Sequence, residues 1–426
     1  MSANLVGAAL GTDAGPALAR ALAAVRRLAT AAAIVWSGTL HAQAPSIAAT
    51  QDIDRQIAER MARVGIVGLG AAIIVDRQVV WMHGFGFADP GRTRPFTPRT
   101  VMNVGSIAKT VTGVAMMRAV QDGLLSLDED INRYLPFRVV NPYRPQETIT
   151  LRHLATHTSG IRDRWEVYAR TYHYGGDSPV PLGSFLADYF TVGGAHYARE
   201  NFVDARPGTR REYANVGAAL AGYIVERAVG EPLNVFTRTH VFAPLGMTNT
   251  GWLLSEVDLG NHSALFVAHN GFIVPIPLYG GTTYPDGGLR TSVEDLSRFF
   301  IALLRGGEYA GVRILDETAA REMQRFQFTD ANRPENFPAS DGNSGLFWRT
   351  KFRGQRVGHG GSDPGVQTEM LADRSGTLGV VLLVNTSLSG RDAAVTSSIL
   401  DLLWRHGESL REARKHEGDD LTRARR

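Results

Sequence analysis

A serine and a lysine stand three residues apart at Ser106 and Lys109, and this spacing suits nucleophilic catalysis. A serine hydroxyl is a weak nucleophile at neutral pH, and a lysine kept neutral by its surroundings can take its proton. Residues 106–123 have a helical pattern of apolar side chains, so the pair would lie together at the start of a helix. Ser106 is therefore a candidate nucleophile for acyl transfer. The alternative is a serine that caps a helix, followed by a solvated lysine.

A second motif, Tyr213-Ala214-Asn215, supplies a candidate proton acceptor. It lies just before a predicted helix over 216–229, and a phenol beside a cation could take part in proton transfer. The alternative is a structural tyrosine at the junction between a loop and a helix.

A third motif, Gly358 to Ser362, follows a predicted strand over 355–357 and contains His359. Its glycines would let the backbone of a substrate lie close to the edge of the sheet. The histidine could donate a hydrogen bond or relay a proton. A structural role for this histidine is the alternative.

Taken in this order, the three motifs resemble the serine β-lactamase and penicillin-binding-protein superfamily, specifically its class C-like branch of esterases, β-lactamases and D-peptidases. Three further stretches are similar to sequences of this family, at 149–160, 244–250 and 287–296. The resemblance covers roughly residues 52–404. It implies a β-lactamase/transpeptidase-like fold.

For the first two motifs, the resemblance implies that Ser106 forms the acyl-enzyme and that Lys109 and Tyr213 share proton transfer. Asn215 would orient the substrate or Lys109. The motif departs from many relatives at Ala214, where they carry serine. This change removes one hydroxyl but no required proton acceptor.

For the third motif, the resemblance places His359 where relatives carry a lysine or histidine. The backbone N–H groups of Ser106 and Ser362 would form the oxyanion hole, and Gly360 and Gly361 would contact the substrate. Because His359-Gly360 replaces Lys-Thr, a permanent cation and a hydroxyl suited to a β-lactam carboxylate are missing. Efficient β-lactam hydrolysis is therefore not expected.

We accordingly expect a serine hydrolase that acts on a small-molecule ester, amide or D-peptide, without cofactor or metal. β-Lactamase or DD-carboxypeptidase activity is the nearest alternative. An alternative of another class is a non-catalytic scaffold or peptidoglycan-binding protein of the same fold, since function resides in sites rather than folds. Peptidoglycan is the one macromolecular contact left open, because the mixed charges form no basic stripe for nucleic acid.

Two other hydrolase classes fit the sequence poorly. An α/β-hydrolase would show G-x-S-x-G, and no serine here has glycines two residues before and two residues after it. His153 and His157 have the spacing of zinc ligands on a helix, but Leu154 stands where a zinc protease carries glutamate.

The N-terminal sequence predicts export. Arginines at 20, 26 and 27 precede an apolar run over 28–40, and Ala42-Gln43-Ala44 forms a small-x-small cleavage site. Residues 1–44 are therefore predicted to be a signal peptide, which places the mature chain in the periplasm or the medium. The sequence contains no cysteine, so disulfides and thiol chemistry are excluded.

The predicted fold class is α/β in the α+β sense. Strand patterns occur near both ends of the sequence and helical patterns in the middle, so one antiparallel sheet flanked by helices would be built from both ends. The hydrolase domain would span 45–404, with its sheet part over 52–109 and 286–404 and a mostly helical insert over 110–285. Residues 405–426 are charged and predicted to be disordered.

One long segment within the insert, 161–206, carries several aromatic residues among glycines and prolines. It is predicted either to line the acyl pocket or to pack on the helical region.

Overall fold

A computed structural model of the chain describes residues 47–269 and 271–424, and the side chains of 52–268 and 271–416. The ten helices described are α1 Ile47–Val64, α2 Ala108–Gln121, α3 Leu151–Ala155, α4 Trp165–Tyr168, α5 Leu182–Phe190, α6 Asn215–Val229, α7 Leu233–Thr237, α8 Val293–Leu304, α9 Glu317–Gln324 and α10 Ala394–Ala424. The strands described are β1 Gly68–Val75, β2 Gln78–Gly86, β3 Met102–Asn103, β4 Tyr172–Tyr174, β5 Leu265–His269, β6 Phe272–Ile276, β7 Tyr279–Gly281, β8 Arg290–Thr291, β9 Glu308–Tyr309, β10 Val312–Arg313, β11 Arg349–Lys351, β12 Arg356–Asp363, β13 Val366–Asp373, β14 Leu378–Val384 and β15 Thr386–Ser387.

The main sheet has six antiparallel strands in the order β11-β12-β13-β14-β1-β2. The first two strands pair through the turn at Asp76 and Arg77, both of which have positive φ angles of 50° and 62°. Strand β1 then pairs with β14, with Leu69 opposite Val384. The sequence-based prediction of one sheet built from both ends of the chain is confirmed.

Helices cover both faces of this sheet because successive side chains of its central strands point to opposite sides. On one face, Ile73 packs with Ile57 of α1 and Leu403 of α10. On the other face, Ile74 packs with Phe300 of α8 and the larger core of the helical region. Every residue of β1 and β14 is buried, so these two strands form the centre of the molecule.

The helical region lies between β3 and β8, and α2 is its central helix. Eleven of the fourteen residues of α2 are buried, which requires packing on all sides. Helices α6 and α9 pack against it. Helix α6 ends at Gly230, whose φ of 79° closes the helix in the left-handed conformation that glycine adopts readily. The insert thus brings the start of α2 and the start of α6 together.

The prediction of disorder for 405–426 is wrong over 405–424, since helix α10 continues through Ala424; the last two residues lie outside the described residues. Leu410 packs against the apolar cluster formed by α1, α10 and the sheet. Arg411 forms an ion pair with Asp373 at 2.9 Å between Nη1 and Oδ2. Hydrogen bonds from Arg411 to Thr377 and from Arg414 to Gln78 add to these contacts, and composition alone does not show them.

The predicted signal peptide, 1–44, lies outside the described residues. Within 47–269 and 271–424, no helix combines the length and apolar composition that crossing a membrane requires.

The packing of α10 predicts that the C-terminal segment stabilises the fold. A chain ending at Trp404 loses the contacts of Leu410 and Arg411, and its free energy of unfolding should fall by about 1–2 kcal/mol. Thermal unfolding followed by circular dichroism measures this. A chain ending at His416 retains both residues and is the matched control. Equal melting temperatures for the full chain and the chain ending at Trp404 would contradict the packing described.

Candidate active site

The candidate nucleophile lies in a tight turn at the start of α2. Gly105 has a φ of 55°, a conformation that glycine adopts without strain, and Ser106 follows it in a single helical turn over Gly105–Ile107. The turn is fixed from the sheet side, because the Thr368 hydroxyl donates to the Val104 carbonyl at 2.7 Å. Gly361 is needed opposite it, since a Cβ there would lie 2.1 Å from the Val104 oxygen.

Two side chains, one from helix α2 and one from the loop before α6, converge on the Ser106 hydroxyl. Lys109 Nζ lies 3.0 Å from Ser106 Oγ and donates to it. The Tyr213 hydroxyl lies 2.9 Å from the same oxygen. The structure thus brings together the serine, lysine and tyrosine that the sequence analysis selected, although 107 residues separate Ser106 from Tyr213.

Lys109 is fully buried and its ammonium group has three acceptors. Besides Ser106, Nζ donates to Asn215 Oδ1 and to the Asp286 carbonyl, each at 2.7 Å. Burial opposes the charge, but the Tyr213 oxygen and the Asp286 carboxyl favour it, so the pKa of Lys109 is raised above its usual value. The raised pKa favours the ammonium form of Lys109 over the neutral lysine expected from the sequence, and each of its three protons then has an acceptor.

Tyr213 and Asn215 are held by contacts that the sequence did not reveal. The ring of His157 packs on Tyr213 with centroids 4.2 Å apart, and the Ala214 N–H donates to His157 Nδ1 at 3.3 Å. Asp163 accepts hydrogen bonds from the first N–H groups of α6, at 2.8 and 2.9 Å. A carboxylate at a helix N-terminus is electrostatically favourable, and here it fixes where Asn215 begins the helix.

His359 lies within β12 rather than after a strand as predicted, because the strand continues to Asp363. Its side chain is 1% exposed and is not among the residues that line the cleft. Burial lowers the pKa of His359 well below its usual value, so the imidazole is neutral. Nδ1 donates to the Gly360 carbonyl at 2.7 Å. The structure therefore places the His359 side chain behind the residues that line the cleft.

The backbone N–H groups of Ser106 and Ser362 lie side by side where β12 meets the nucleophile turn. A Cβ on Gly361 would lie 3.0 Å from the Ser106 nitrogen, and one on Gly105 would lie 3.1 Å from the Ser362 nitrogen. Asp363 and Val366 form the hydrogen-bonded pair that closes a two-residue turn between β12 and β13. Hydrogen-bonded and non-hydrogen-bonded pairs alternate along an antiparallel ladder, so Ser362 and Gln367 form a non-hydrogen-bonded pair. The Ser362 N–H therefore points away from β13. Both groups are placed to bind one oxyanion.

A cleft of about 450 Å³ opens over Ser106. Of the predicted site residues, its walls include Ser106, Tyr213, Asn215, Gly360, Gly361 and Ser362. The segment 161–206 supplies an aromatic wall through Trp165, Tyr168 and Tyr172, so it both packs on the helical region and lines the pocket.

Charged residues that the sequence analysis missed also line this cleft. They are Asp286, Arg349, Lys351, Asp363 and Glu369. Lys351 pairs with Glu369, whereas Arg349 has no ion pair with any described residue, and its Nε is buried without a partner. The sequence-based prediction that the site lacks a permanent cation is therefore wrong, because Arg349 on β11 supplies one. No local pattern marks this arginine in the sequence.

The two histidines at zinc-like spacing have other contacts. His153 Nδ1 accepts from the Thr150 N–H at 3.3 Å at the start of α3, while His157 packs on Tyr213. Among the residues that the structure describes, no group of three or more His, Cys, Asp or Glu is arranged to hold a metal ion.

Comparisons with known proteins agree with this geometry. PbpX of Bacillus subtilis is 27% identical over 263 residues, which cover 61% of each chain. Esterase EstB of Burkholderia gladioli is 26% identical over 401 residues, 85% of this chain and 96% of that protein. The matched region spans 61% of PbpX and 48% of protein flp of Staphylococcus aureus, so this chain covers less than two thirds of these curated relatives.

Among solved structures, the octameric penicillin-binding protein homologue from Pyrococcus abyssi superposes with a TM-score of 0.65 at 26% identity. The superposition covers 83% of this chain and 77% of that one. The sequence model of the beta-lactamase family matches residues 53–402, which include all three motifs. The chain belongs to the beta-lactamase family.

Proposed function

We propose that this protein is a serine hydrolase that forms an acyl-enzyme on Ser106 and hydrolyses small esters or amides. The observation that carries the proposal is the convergence of two proton-transfer groups on one serine oxygen, Lys109 at 3.0 Å and Tyr213 at 2.9 Å. Structural cross-linking alone would need only the bonds from Lys109 to Asn215 and Asp286; the third bond, to the Ser106 hydroxyl that lines the cleft, is the one that a catalytic role explains.

In the first step, Tyr213 acts as a phenolate that has released its own proton to solvent and whose charge is balanced by the Lys109 ammonium. The Ser106 oxygen attacks the substrate carbonyl as the Ser106 proton passes to the Tyr213 oxygen. The Lys109 ammonium stabilises negative charge on both oxygens, and the N–H groups of Ser106 and Ser362 bind the developing oxyanion. The proton then passes to the leaving alcohol or amine as its bond to the carbonyl carbon breaks. Water cleaves the acyl-enzyme through the same groups and restores the Ser106 hydroxyl.

Two observations support the choice of substrate class. A relative that matches 85% of this chain is named an esterase. Arg349 gives the cleft an unpaired cation, which favours substrates that carry a carboxylate, including short D-peptides. β-Lactams also carry a carboxylate, so the missing hydroxyl at Gly360, and not the absence of a cation, is what leaves them as the poorer class.

The Ser106→Ala variant should lose turnover of p-nitrophenyl acetate and butyrate by at least about 1,000-fold, because no acyl-enzyme can form. The same panel should include nitrocefin and D-alanyl dipeptides, with nitrocefin slower than the best ester. Labelling by a fluorophosphonate, followed by mass spectrometry, should locate the adduct on Ser106.

Ser362→Ala is the matched control. It removes a second hydroxyl from the cleft but keeps the backbone N–H proposed for the oxyanion hole, so ester turnover should stay within a few-fold of wild type. A folded wild-type protein that neither turns over an ester nor takes the label would refute the proposed function.

Arg349→Gln should weaken turnover of acyl substrates with a carboxylate in the leaving group. Losing a hydrogen bond to a charged group costs about 1.5–3 kcal/mol, so kcat/KM should fall roughly 10- to 100-fold, mainly through KM. Neutral esters provide the comparison within each variant, and Arg353→Gln removes a nearby exposed arginine as a control. An equal loss for neutral and carboxylate-bearing substrates would show that Arg349 acts on structure rather than on recognition.

We also propose that the protein is exported, on the basis of the arginines at 20, 26 and 27, the apolar run over 28–40 and the cleavage motif ending at Ala44. Expressed in its host, the mature chain should begin near residue 45 and be recovered from the periplasm or medium. Intact-mass measurement of the purified protein tests this, and an unprocessed cytoplasmic chain would contradict it.

A further inference from the structure

Beside the cleft lies a small cavity lined by carboxyl and aromatic groups. Its volume of about 20 Å³ suits one water-sized or ammonium-sized group. Asp286, Asp363, Tyr168 and Tyr172 line both this cavity and the cleft, so the two adjoin across a wall of these side chains. A small group on a substrate bound at Ser106 would enter the cavity by passing between them.

Each carboxyl of the cavity has one oxygen held and one free. Asp286 Oδ1 accepts from the Tyr168 hydroxyl at 2.9 Å, and Asp363 Oδ1 accepts from the Tyr172 hydroxyl at 2.7 Å. Asp286 Oδ2 is buried and has no hydrogen-bond partner among the described residues. Neither carboxyl forms an ion pair with a described residue.

An amide provides an independent observation at the same place. Asn103 is 1% exposed, lines the cavity, and its Oδ1 is buried without a hydrogen-bond partner. Buried acceptors without donors are uncommon in native proteins and indicate a missing donor. The free oxygens of Asn103 and Asp286 both call for a group rich in N–H or O–H donors.

The charges around the cavity favour a cationic donor over a neutral one. Lys109 and Arg290 are the nearby cations, but the first donates to Ser106, Asn215 and the Asp286 carbonyl. Arg290 donates through its terminal nitrogens to the carbonyls of Trp252, Gly288 and Tyr279, and its Nε is buried without a partner.

Acidic groups outnumber these two cations. The carboxyls of Asp163 and Asp286 attract the Lys109 ammonium, which also attracts the carboxyl of Asp363. Asp177 and Glu256 attract the guanidinium of Arg290. Burial raises the pKa of Asp286 to about 7 and that of Asp363 to about 6, although the Lys109 ammonium and the tyrosine hydrogen bonds oppose the rise. A cation in the cavity would restore both carboxyls to their charged form.

The position of Asp363 indicates which part of a substrate would enter. It directly follows Ser362, whose N–H is placed to hold the carbonyl oxygen, so a substituent on the atom next to that carbonyl lies within its reach. Arg349 pairs with Gly358 on the neighbouring strand, five residues or about 17 Å of strand from Asp363. The cleft thus has an anionic end near the oxyanion site and a cationic end further along β12.

We propose that this cavity is a subsite for a primary ammonium group on the acyl part of the substrate, with Asp363 and Asp286 as its counter-ions. The inference rests on the proposed function and narrows it to aminoacyl esters and amides. Tyr168 and Tyr172 orient the two carboxylates, and Asn103 accepts a further hydrogen bond. An acyl group without an ammonium leaves these acceptors unpaired.

The decisive comparison uses two ligands that differ only in the ammonium group, D-alaninamide and propionamide. Binding is measured by calorimetry or NMR on the Ser106→Ala protein, so the result does not depend on turnover. D-Alaninamide should bind at least about 10-fold more tightly. Asp363→Asn in the same background, which keeps an acceptor for Tyr172, should reduce this ratio to near unity, while Asp330→Asn, an exposed aspartate, should leave it unchanged.

Turnover provides the second readout, with the p-nitroanilides of D-alanine and of propionic acid. Wild type should prefer the aminoacyl anilide in kcat/KM, and Asp363→Asn should reduce that preference at least 10-fold. Equal binding of the two amides would overturn the subsite, even if esters are hydrolysed through Ser106. Selective binding without any turnover or fluorophosphonate labelling would leave the subsite in place and refute the proposed function instead.

A third experiment distinguishes a free cation in the cavity from the ammonium group of a substrate. Ammonium chloride is added to the protein, and choline chloride at the same ionic strength is the control. Competition between ammonium chloride and D-alaninamide, lost in Asp363→Asn, supports the subsite. Activation of propionyl anilide turnover by ammonium ion, without preference for the aminoacyl substrate, would assign the cavity to a free cation and overturn the proposal.

Discussion

The charge on Lys109 is the interaction on which the rest of the site depends. Its three hydrogen bonds join four parts of the chain: its own helix α2, the nucleophile turn, the start of α6 at Asn215 and the backbone at Asp286. Removing one partner of a buried charge typically costs about 3–5 kcal/mol. A rearrangement that separates α2 from α6 would remove the Asn215 acceptor from this ammonium. The ammonium is therefore a structural cross-link, and in the proposed mechanism it is also the group that stabilises negative charge.

The edge of β12 imposes the second constraint, because the nucleophile turn lies directly against it. A side chain at Gly361 would clash with the Val104 carbonyl, and one at Gly105 would crowd the Ser362 nitrogen. The strand is itself fixed by β13 and through it by the two fully buried strands at the centre of the sheet. The proposed oxyanion site is thus attached directly to the core, which suits stabilising charge without reorganisation.

The sequence predicted the groups that touch Ser106 because each belongs to a short motif, and the motifs follow one another along the chain in a recognisable order. It could not predict the protonation state of Lys109, which depends on the Asp286 region 177 residues away. Asp286, Arg349 and Asp363 were missed for the same reason, since only the fold brings them to a common cleft. Asp163 was missed because only the fold places it at the start of α6. The sheet followed from alternating patterns at both ends. The C-terminal helix did not, because Leu410 and Arg411 are two contacts within a segment of disordered composition.

The change from lysine to histidine in the third motif has a different meaning once the structure is considered. Taken from the motif alone, His359 removes a permanent cation from the substrate site. In the folded protein the imidazole is buried and neutral, while Arg349 on the adjacent strand presents a charge to the same cleft. Arginine binds a carboxylate through two parallel hydrogen bonds, so moving the cation to β11 replaces a point charge with an oriented one. With this cation at one end of the cleft and two buried carboxyls at the other, the proposed function predicts a preference for charge separation along the substrate, which a compact bicyclic ring satisfies less well than an extended aminoacyl chain.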